Sequence, residues 1–409
     1  MATHTHCRIC QQPLPGAILD LGTMPLANSF VSSPDEFADE PSYPLAVTTC
    51  GTCGLAQLTC TVPAEQLYRE YIYVSSTSEA VQAHGDRLAA DLSQRYRWHE
   101  ADLLVEVASN DGTVLKAFQK RGLRVLGVEP ARNVAAMATA AGVPTTADFF
   151  TEESAIALVA DSGRAAGILA RHVFAHVDDL DDFLRGVSRL LHDNGILVIE
   201  VPYFGALVDN LEFDTVYHEH LSYFSLRPLE YLFAKHGFQV MDVDRVSLHG
   251  GSMILHVGRL NAHVQSDRVR LMREEEQARQ LTDISTLRQF AEAVRQWKTQ
   301  FESVIADLVS TGATLIGYGA AAKGNTLLNY CPSAAQPLRC LLDRNPLKHG
   351  RYTPGTHVPV ASTDQWEAYA ATHMLILAWN FQEEIVRQMH PFAQGGGRFI
   401  IPIPEPRLI

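Results

Sequence analysis

The chain has 409 residues, 46% of them apolar, a formal net charge of −13 and a pI near 5.7. That length admits two or three domains with sizeable cores, and the acidic balance argues against nucleic-acid binding through a basic face. No apolar run approaches the ~18 residues of a membrane span, and the N-terminus lacks a basic segment followed by an apolar one. The expectation is a soluble, cytoplasmic monomer with neither nucleic acid nor membrane as partner.

Two cysteine pairs open the chain, Cys7-x2-Cys10 and Cys50-x2-Cys53. Each pair lets two thiolates face one ion, and two pairs close a tetrahedral four-sulfur shell. Gly51 and Gly54 suit the tight turns such knuckles need. Residues 1–70 read as a small module held by a structural Zn2+, since so short a segment has little core of its own. His4 and His6 are competing ligands, and Cys60 falls outside the spacing. Tyr68, Tyr71 and Tyr73 follow, before a Ser/Thr cluster and a helix from Glu79. Capped helix entry explains this passage, as does a lid whose tyrosines reach a substrate.

From residue 71 to about 260, strands and helices alternate, which predicts a parallel sheet. Strands are expected at 103–108, 124–129, 145–148, 167–170 and 195–202, with a final hairpin at 238–246 and 252–258 turned at Gly250-Gly251. The turn after the first strand, Glu106-Val-Ala-Ser109-Asn110-Asp111-Gly112, is not G-x-G-x-x-G. Its acids disfavour a pyrophosphate and suit a cationic ligand or hydroxyl donors. Glu129 ends the second strand, where a carboxylate accepts bonds from ribose hydroxyls. Together they suit S-adenosylmethionine, which carries a ribose and a sulfonium and no phosphate. Asp148 and Phe149 are candidates for the adenine amino group and ring face. His172 and His176 follow the fourth strand, at the sheet edge where open α/β sheets bind ligands.

After the fifth strand comes Phe213-Asp-Thr-Val-Tyr217-His218-Glu219-His220-Leu-Ser-Tyr-Phe224. It gathers titratable groups just past a buried strand, with Phe213, Leu221 and Phe224 to pin it to a core. Ser225 and Pro228 then mark a helix start. Residues 265–308 read as linker helices. Beyond them lies a second α/β unit with strands near 313–318, 340–343, 374–378 and 399–402. Its turn Gly317-x-Gly319-Ala-Ala-Ala-Lys323-Gly-Asn325 can offer backbone N–H groups and a lysine to a diphosphate. Close helix–strand packing would need the same glycines. Trp379-Asn380-Phe381 ends another strand and is a candidate border for a sugar nucleotide.

The set Cys7/Cys10/Cys50/Cys53, Glu106-x3-Asn110-Asp111-Gly112, Ala175-His176, Ile199-Glu-Val-Pro202 and Tyr217-His-Glu-His220 resembles the zinc-containing, S-adenosylmethionine-dependent C-methyltransferases that act on TDP-linked keto-deoxysugars destined for antibiotics. The resemblance spans essentially the whole chain. It implies an α/β protein of three domains: a zinc module (1–70), a class I Rossmann-like methyltransferase domain (71–260), and linker helices with a C-terminal Rossmann-like domain (261–409). It also implies that Tyr71, His176, Tyr217, Glu219 and His220 line the substrate. Arg171-His172 departs from the small polar residues expected there. The chemistry needs a base for the C–H beside a 4-keto group and a donor for the enolate oxygen. His220 is the expected base, with His176 the alternative. Glu219 would orient it or bind a sugar hydroxyl, His176 and Tyr217 would hold the C4 oxygen, and Tyr71 would close the site. Methylation at C3 is expected; C5 or oxygen methylation, or a non-catalytic sugar-nucleotide binder, are the other readings.

Overall fold

The computed structural model describes the chain except residues 70–73 and 247–249 and the side chain of Thr77. Tyr71 therefore lies outside the described residues. Three principal sheets organise the rest. The N-terminal sheet contains β1 (Leu19–Pro25), β2 (Ser42–Thr49) and β3 (Ala56–Leu58). The turn from β2 to β3 holds Cys50 and Cys53. Long helix α1 (Glu79–Tyr96) follows, its start capped by the Ser78 side chain.

The central sheet is built from β4 (Leu103–Val107), β5 (Arg124–Val128), β6 (Thr145–Thr146), β7 (Ala165–Arg171) and β8 (Leu191–Pro202). Helices α2 (Thr113–Gln119), α3 (Arg132–Ala140), α4 (Glu152–Ser162) and α5 (Leu180–Leu190) connect them. All five residues of β4 are buried, as a parallel strand covered on both faces requires. After β9 (Ser222–Tyr223) and α6 (Leu226–Lys235), the hairpin β10 (Phe238–Val246) and β11 (Ser252–Arg259) completes the sheet. The order is β10-β11-β8-β7-β4-β5-β6, parallel except for β11 and its pairing to β10. Order reverses between β4 and β7, so the C-terminal ends of those strands open a crevice.

Helices α7 (Asp267–Ala278) and α8 (Ile284–Ser310) lead to the last unit. Helix α8 buries Leu287, Phe290, Ala291, Val294, Trp297, Phe301 and Ile305, an apolar stripe at helical spacing. Its Trp297 packs on Phe213 with ring centroids 4.6 Å apart and donates to the Pro402 carbonyl. The C-terminal sheet has the order β14-β13-β12-β15-β16-β17: β12 (Leu315–Tyr318), β13 (Leu338–Asp343), β14 (Val360–Ser362), β15 (His373–Ile376), β16 (Arg398–Ile401) and β17 (Arg407–Leu408). Only β17 runs antiparallel among these described strands. Helix α9 (Ala322–Tyr330) leaves the turn after β12.

One pairing matters for the site. Strand β9, which follows His220 directly, joins the N-terminal sheet and not the central one: Ser222 pairs with Gln57 and Tyr223 with Ala56. The Leu58 amide also donates to the Leu221 carbonyl at 3.0 Å. The 217–220 loop is therefore moored to the cysteine module. No described helix is long and apolar enough to cross a membrane.

Candidate active site

A cavity of about 550 Å³ lies where the three units meet, within the range of small-molecule sites. Asn28 and Tyr68 reach it from the N-terminal unit. Glu106, Ser109, Asn110, Glu129, Phe149, Arg171, His172, His176, Tyr217 and His220 line its central part, and Lys323, Lys348, Asn380 and Phe381 its far side.

At the strand ends of β4 and β5, the Glu129 carboxylate accepts from the backbone amides of Asn110 (2.8 Å) and Ala131 (2.9 Å). Those bonds fix it, and a carboxylate retains acceptor sites for hydroxyls. The Asn110 side chain accepts from the Ser75 amide at 2.8 Å. Glu106 is buried and lines the cavity, and its Oε2 has no hydrogen-bond partner among the described residues. An orphaned buried carboxylate oxygen facing a cavity fits a cationic or donor ligand. Burial pushes Glu106 up to about 7, against the downward pull of Arg171.

Several expected cofactor contacts have other work. Asp111 accepts from the Ser76 amide (3.1 Å) and the Thr113 hydroxyl (2.6 Å) and does not line the cavity. Gly112 sits at φ 75°, and a Cβ there would meet Val143 at 2.9 Å, so it serves the turn. The Ser109 hydroxyl lies against Gly127, where a Cβ would be 2.4 Å away. Asp148 is exposed and bonds to the Phe149 amide; the Phe149 ring packs under the Arg69 guanidinium.

Arg171 is the larger surprise. Its Nη1 lies 3.5 Å from Glu106 and its Nε donates to Glu200 at 3.0 Å. His84 and His172 also contact Glu200, at 3.0 and 3.3 Å. Burial would raise Glu200, but His172 and Arg171 hold it well below the ordinary carboxylate range. Two buried acids thus share one guanidinium beneath the cofactor end. In the sequence, Arg171 stood out only as a departure from a pattern; its partners lie on other strands.

In the 213–220 loop, His220 Nδ1 donates to the Thr215 carbonyl at 2.8 Å. A carbonyl can only accept, so Nε2 carries the lone pair and accepts from the Tyr217 hydroxyl at 2.9 Å. The bond that orients His220 comes from Thr215 and not from Glu219, one of the two roles the sequence offered that residue. Glu219 Oε1 instead accepts from Asn28 at 2.6 Å. The Tyr68 hydroxyl donates to the Glu219 carbonyl (3.0 Å) and meets His176 Nδ1 (2.9 Å). The His176 and His220 rings stand 4.8 Å apart, edge to face. Burial lowers both imidazoles, His176 to about 4 and His220 well below the ordinary value, so both are neutral near pH 7. His218 turns the other way and donates to the Tyr43 carbonyl at 3.2 Å.

On the far side, Lys323 and the N-terminal residues Ala321 and Ala322 line the cavity. Gly317, Gly319 and Asn325 do not. A Cβ at Gly317 would meet Leu341 at 2.3 Å, and one at Gly319 would meet Ala378 at 2.8 Å; Asn325 is buried and donates to the Ala27 carbonyl at 2.7 Å. The packing reading of those glycines fits this geometry. Lys348 and Asn28, which sequence reasoning did not single out, reach the cavity from loops that carry no motif.

The thiols of Cys7, Cys10, Cys50 and Cys53 all lie within 4.8 Å of one another, with Cys7–Cys53 and Cys10–Cys50 at 3.4 Å. Tetrahedral zinc with Zn–S of ~2.3 Å separates its sulfurs by ~3.8 Å, so the donor set fits. Cys60 stands apart, and His4 bonds to Thr61 at 2.9 Å.

Known proteins match this arrangement. Three family models cover the chain in succession: a zinc binding domain over residues 7–68, a methyltransferase domain over 81–243 and a C-methyltransferase C-terminal domain over 247–404. The C-methyltransferase NovU of Streptomyces niveus is 36% identical over 404 residues, covering 98% of this chain and 96% of the relative. The chain belongs to this C-methyltransferase family. The methyltransferase uses S-adenosylmethionine and carries a zinc-binding module. Among solved structures it is similar to the magnesium protoporphyrin IX methyltransferase of Synechocystis PCC 6803 with bound S-adenosylmethionine (12% identity, TM-score 0.33, 44% of this chain and 79% of that one). It is also similar to a methyltransferase of Anabaena variabilis (16%, TM-score 0.35, 44% and 86%).

Proposed function

We propose that this methyltransferase adds a methyl group to C3 of a TDP-linked 4-keto-deoxysugar, with His220 as the base. The observation that carries the reading is the buried His220 imidazole, with Nδ1 on the Thr215 carbonyl and Nε2 on the Tyr217 hydroxyl in the cavity wall.

Bound S-adenosylmethionine supplies a methyl group on a sulfonium. The chain supplies the rest. Glu129 and Asn110 would hold the ribose end, and Glu106 would face the positive charge. His220 Nε2 takes the proton from C3, and the C–H electron pair moves in to form the C4 enolate. The Tyr217 hydroxyl leaves Nε2 as that atom is protonated and turns to the enolate oxygen, beside His176. S-adenosylmethionine, when bound, would supply the methyl to C3, its C–S electron pair remaining with sulfur. His220 returns its proton to solvent. Lys323 and Lys348 face the diphosphate, giving the C-terminal unit its role in binding the nucleotide. Tyr71 is proposed to close the site from the N-terminal side, and the three domain ranges given above are kept as the working division of a monomeric enzyme.

The test incubates the protein with S-adenosylmethionine and a panel of TDP-4-keto-deoxysugars and locates the new methyl by NMR. A methyl on C3, with solvent deuterium entering C3 in wild type and not in His220→Ala, is the expected result. A methyl on oxygen, or undiminished turnover in His220→Ala, overturns the mechanism.

A further inference from the structure

The bond that fixes His220 ends on Thr215, and Thr215 belongs to a tight turn, Phe213–Thr215, that is wholly buried. Asp214 in the middle of that turn is 0% exposed, a costly place for a carboxylate. Its Oδ2 accepts from the Trp379 indole N–H at 2.7 Å. Trp379 comes from the C-terminal unit, just past β15. The same indole has Lys323 Nζ 4.7 Å from its ring centroid, and Lys323 Nζ is 3.4 Å from Glu212 Oε2, next to the turn. Trp379 is flanked by Ala378 and Asn380, which line the cavity with Lys323.

We infer that Trp379 is a positioning residue for the reaction: by holding Asp214 it holds the Thr215 carbonyl, and so fixes the His220 tautomer whose Nε2 lone pair meets the Tyr217 hydroxyl and is available for the substrate proton. The chain of contacts is short and specific. The indole N–H has one strong donor direction, and the buried carboxylate has Trp379 as its hydrogen-bonded side-chain partner among the described residues. Without the indole, Asp214 would seek solvent, the turn would move, and the neighbouring carbonyl would lose its aim. A displacement near 1 Å at a reacting group costs on the order of a hundredfold in rate. The C-terminal unit would thus do two things with one residue, backing the lysine that faces the nucleotide and setting the base.

This inference rests on His220 being the base. The test compares Trp379→Phe, which removes the N–H and keeps a ring, with Asp214→Asn, whose side-chain oxygen can still accept from the indole. Thermal melting and zinc content establish that both are folded. The first readout needs no substrate: 15N NMR of the histidine rings should show His220 protonated at Nδ1 in wild type and Asp214→Asn, and a tautomer mixture in Trp379→Phe. The second uses the TDP-4-keto-deoxysugar that wild type methylates: kcat should fall about tenfold or more in Trp379→Phe with KM little changed, and Asp214→Asn should keep most of its rate. A wild-type tautomer and kcat in Trp379→Phe overturn the inference, as does a loss confined to KM or an equal loss in both variants. If His220→Ala keeps turnover, the base assignment fails with it; if His220→Ala is dead while Trp379→Phe is unimpaired, only the role of Trp379 fails.

Discussion

Removing zinc from the four-cysteine site should silence the enzyme by unseating a loop far along the chain. Cys50 and Cys53 form the turn between β2 and β3, and β3 pairs with β9 immediately after His220. The Asn28–Glu219, Tyr68–Glu219, Tyr68–His176, His218–Tyr43 and Leu58–Leu221 bonds all cross the same boundary. A structural zinc contributes ~10–16 kcal/mol of folding free energy, as much as the ~5–15 kcal/mol that stabilises a whole domain. The small module should not persist without it. Four of these bonds end on residues 218–221 and, at ~1 kcal/mol each, anchor that loop by roughly 4 kcal/mol. That is enough to keep the loop docked nearly all the time, and its loss leaves His176 and His220 without fixed geometry. The assay strips metal with a chelator in the presence of thiol reductant and counts released zinc. It then measures S-adenosylmethionine binding by calorimetry and methyl transfer by product NMR. Binding should survive within a few fold, because Glu106 and Glu129 come from β4 and the end of β5. Methyl transfer should fall more than tenfold and return when zinc is restored. A zinc-free protein with wild-type turnover would refute the chain of contacts.

Three further outcomes follow from the buried charges. Arg171→Met leaves Glu106 and Glu200 buried without their shared cation, a loss of ~3–5 kcal/mol, seen as a melting temperature lower by roughly 10 °C; the side chains are 8%, 4% and 0% exposed, so solvent does little to soften it. Glu106, raised by burial to about 7, stabilises the ligand-free fold most at pH below ~4.5 and loses that contribution as pH climbs through 7. Affinity for S-adenosylmethionine runs the other way: it should strengthen from pH 6 to 8 as the carboxylate ionises, with proton release visible in calorimetry run in buffers of different ionisation enthalpy, and Glu106→Gln should abolish the trend. Because burial lowers both His176 and His220, the acid limb of kcat/KM for the sugar, measured with S-adenosylmethionine saturating at every pH, should fall below the ~6.5 of a free histidine; a limb at or above that value would mean that neither neutral imidazole acts as drawn.

Much of this protein was legible in order of residues. Paired C-x2-C spacing gives the metal site because two knuckles close a sulfur shell whatever surrounds them. Alternating apolar runs and helical stretches give the parallel strands of both sheets, and the strand-end acids Glu106 and Glu129 fall on the cavity wall because topology puts strand ends at the crevice. The Tyr-His-Glu-His run stood out by its titratable groups, and its Tyr217 and His220 line the cavity. Tertiary contacts decided what each group does. Whether a glycine turn cradles a ligand or packs depends on what stands opposite, and Leu341 and Ala378 stand opposite Gly317 and Gly319. Glu219 and Thr215 are both near His220 in sequence, yet the carbonyl of Thr215 orients the ring and the carboxylate of Glu219 reaches Asn28. Arg171 between two acids, Trp379 on Asp214, and β9 joined to the cysteine module are all pairings between distant segments. Local spacing fixes which side chains share a strand end or a knuckle; only the packing of three units fixes which of them meet.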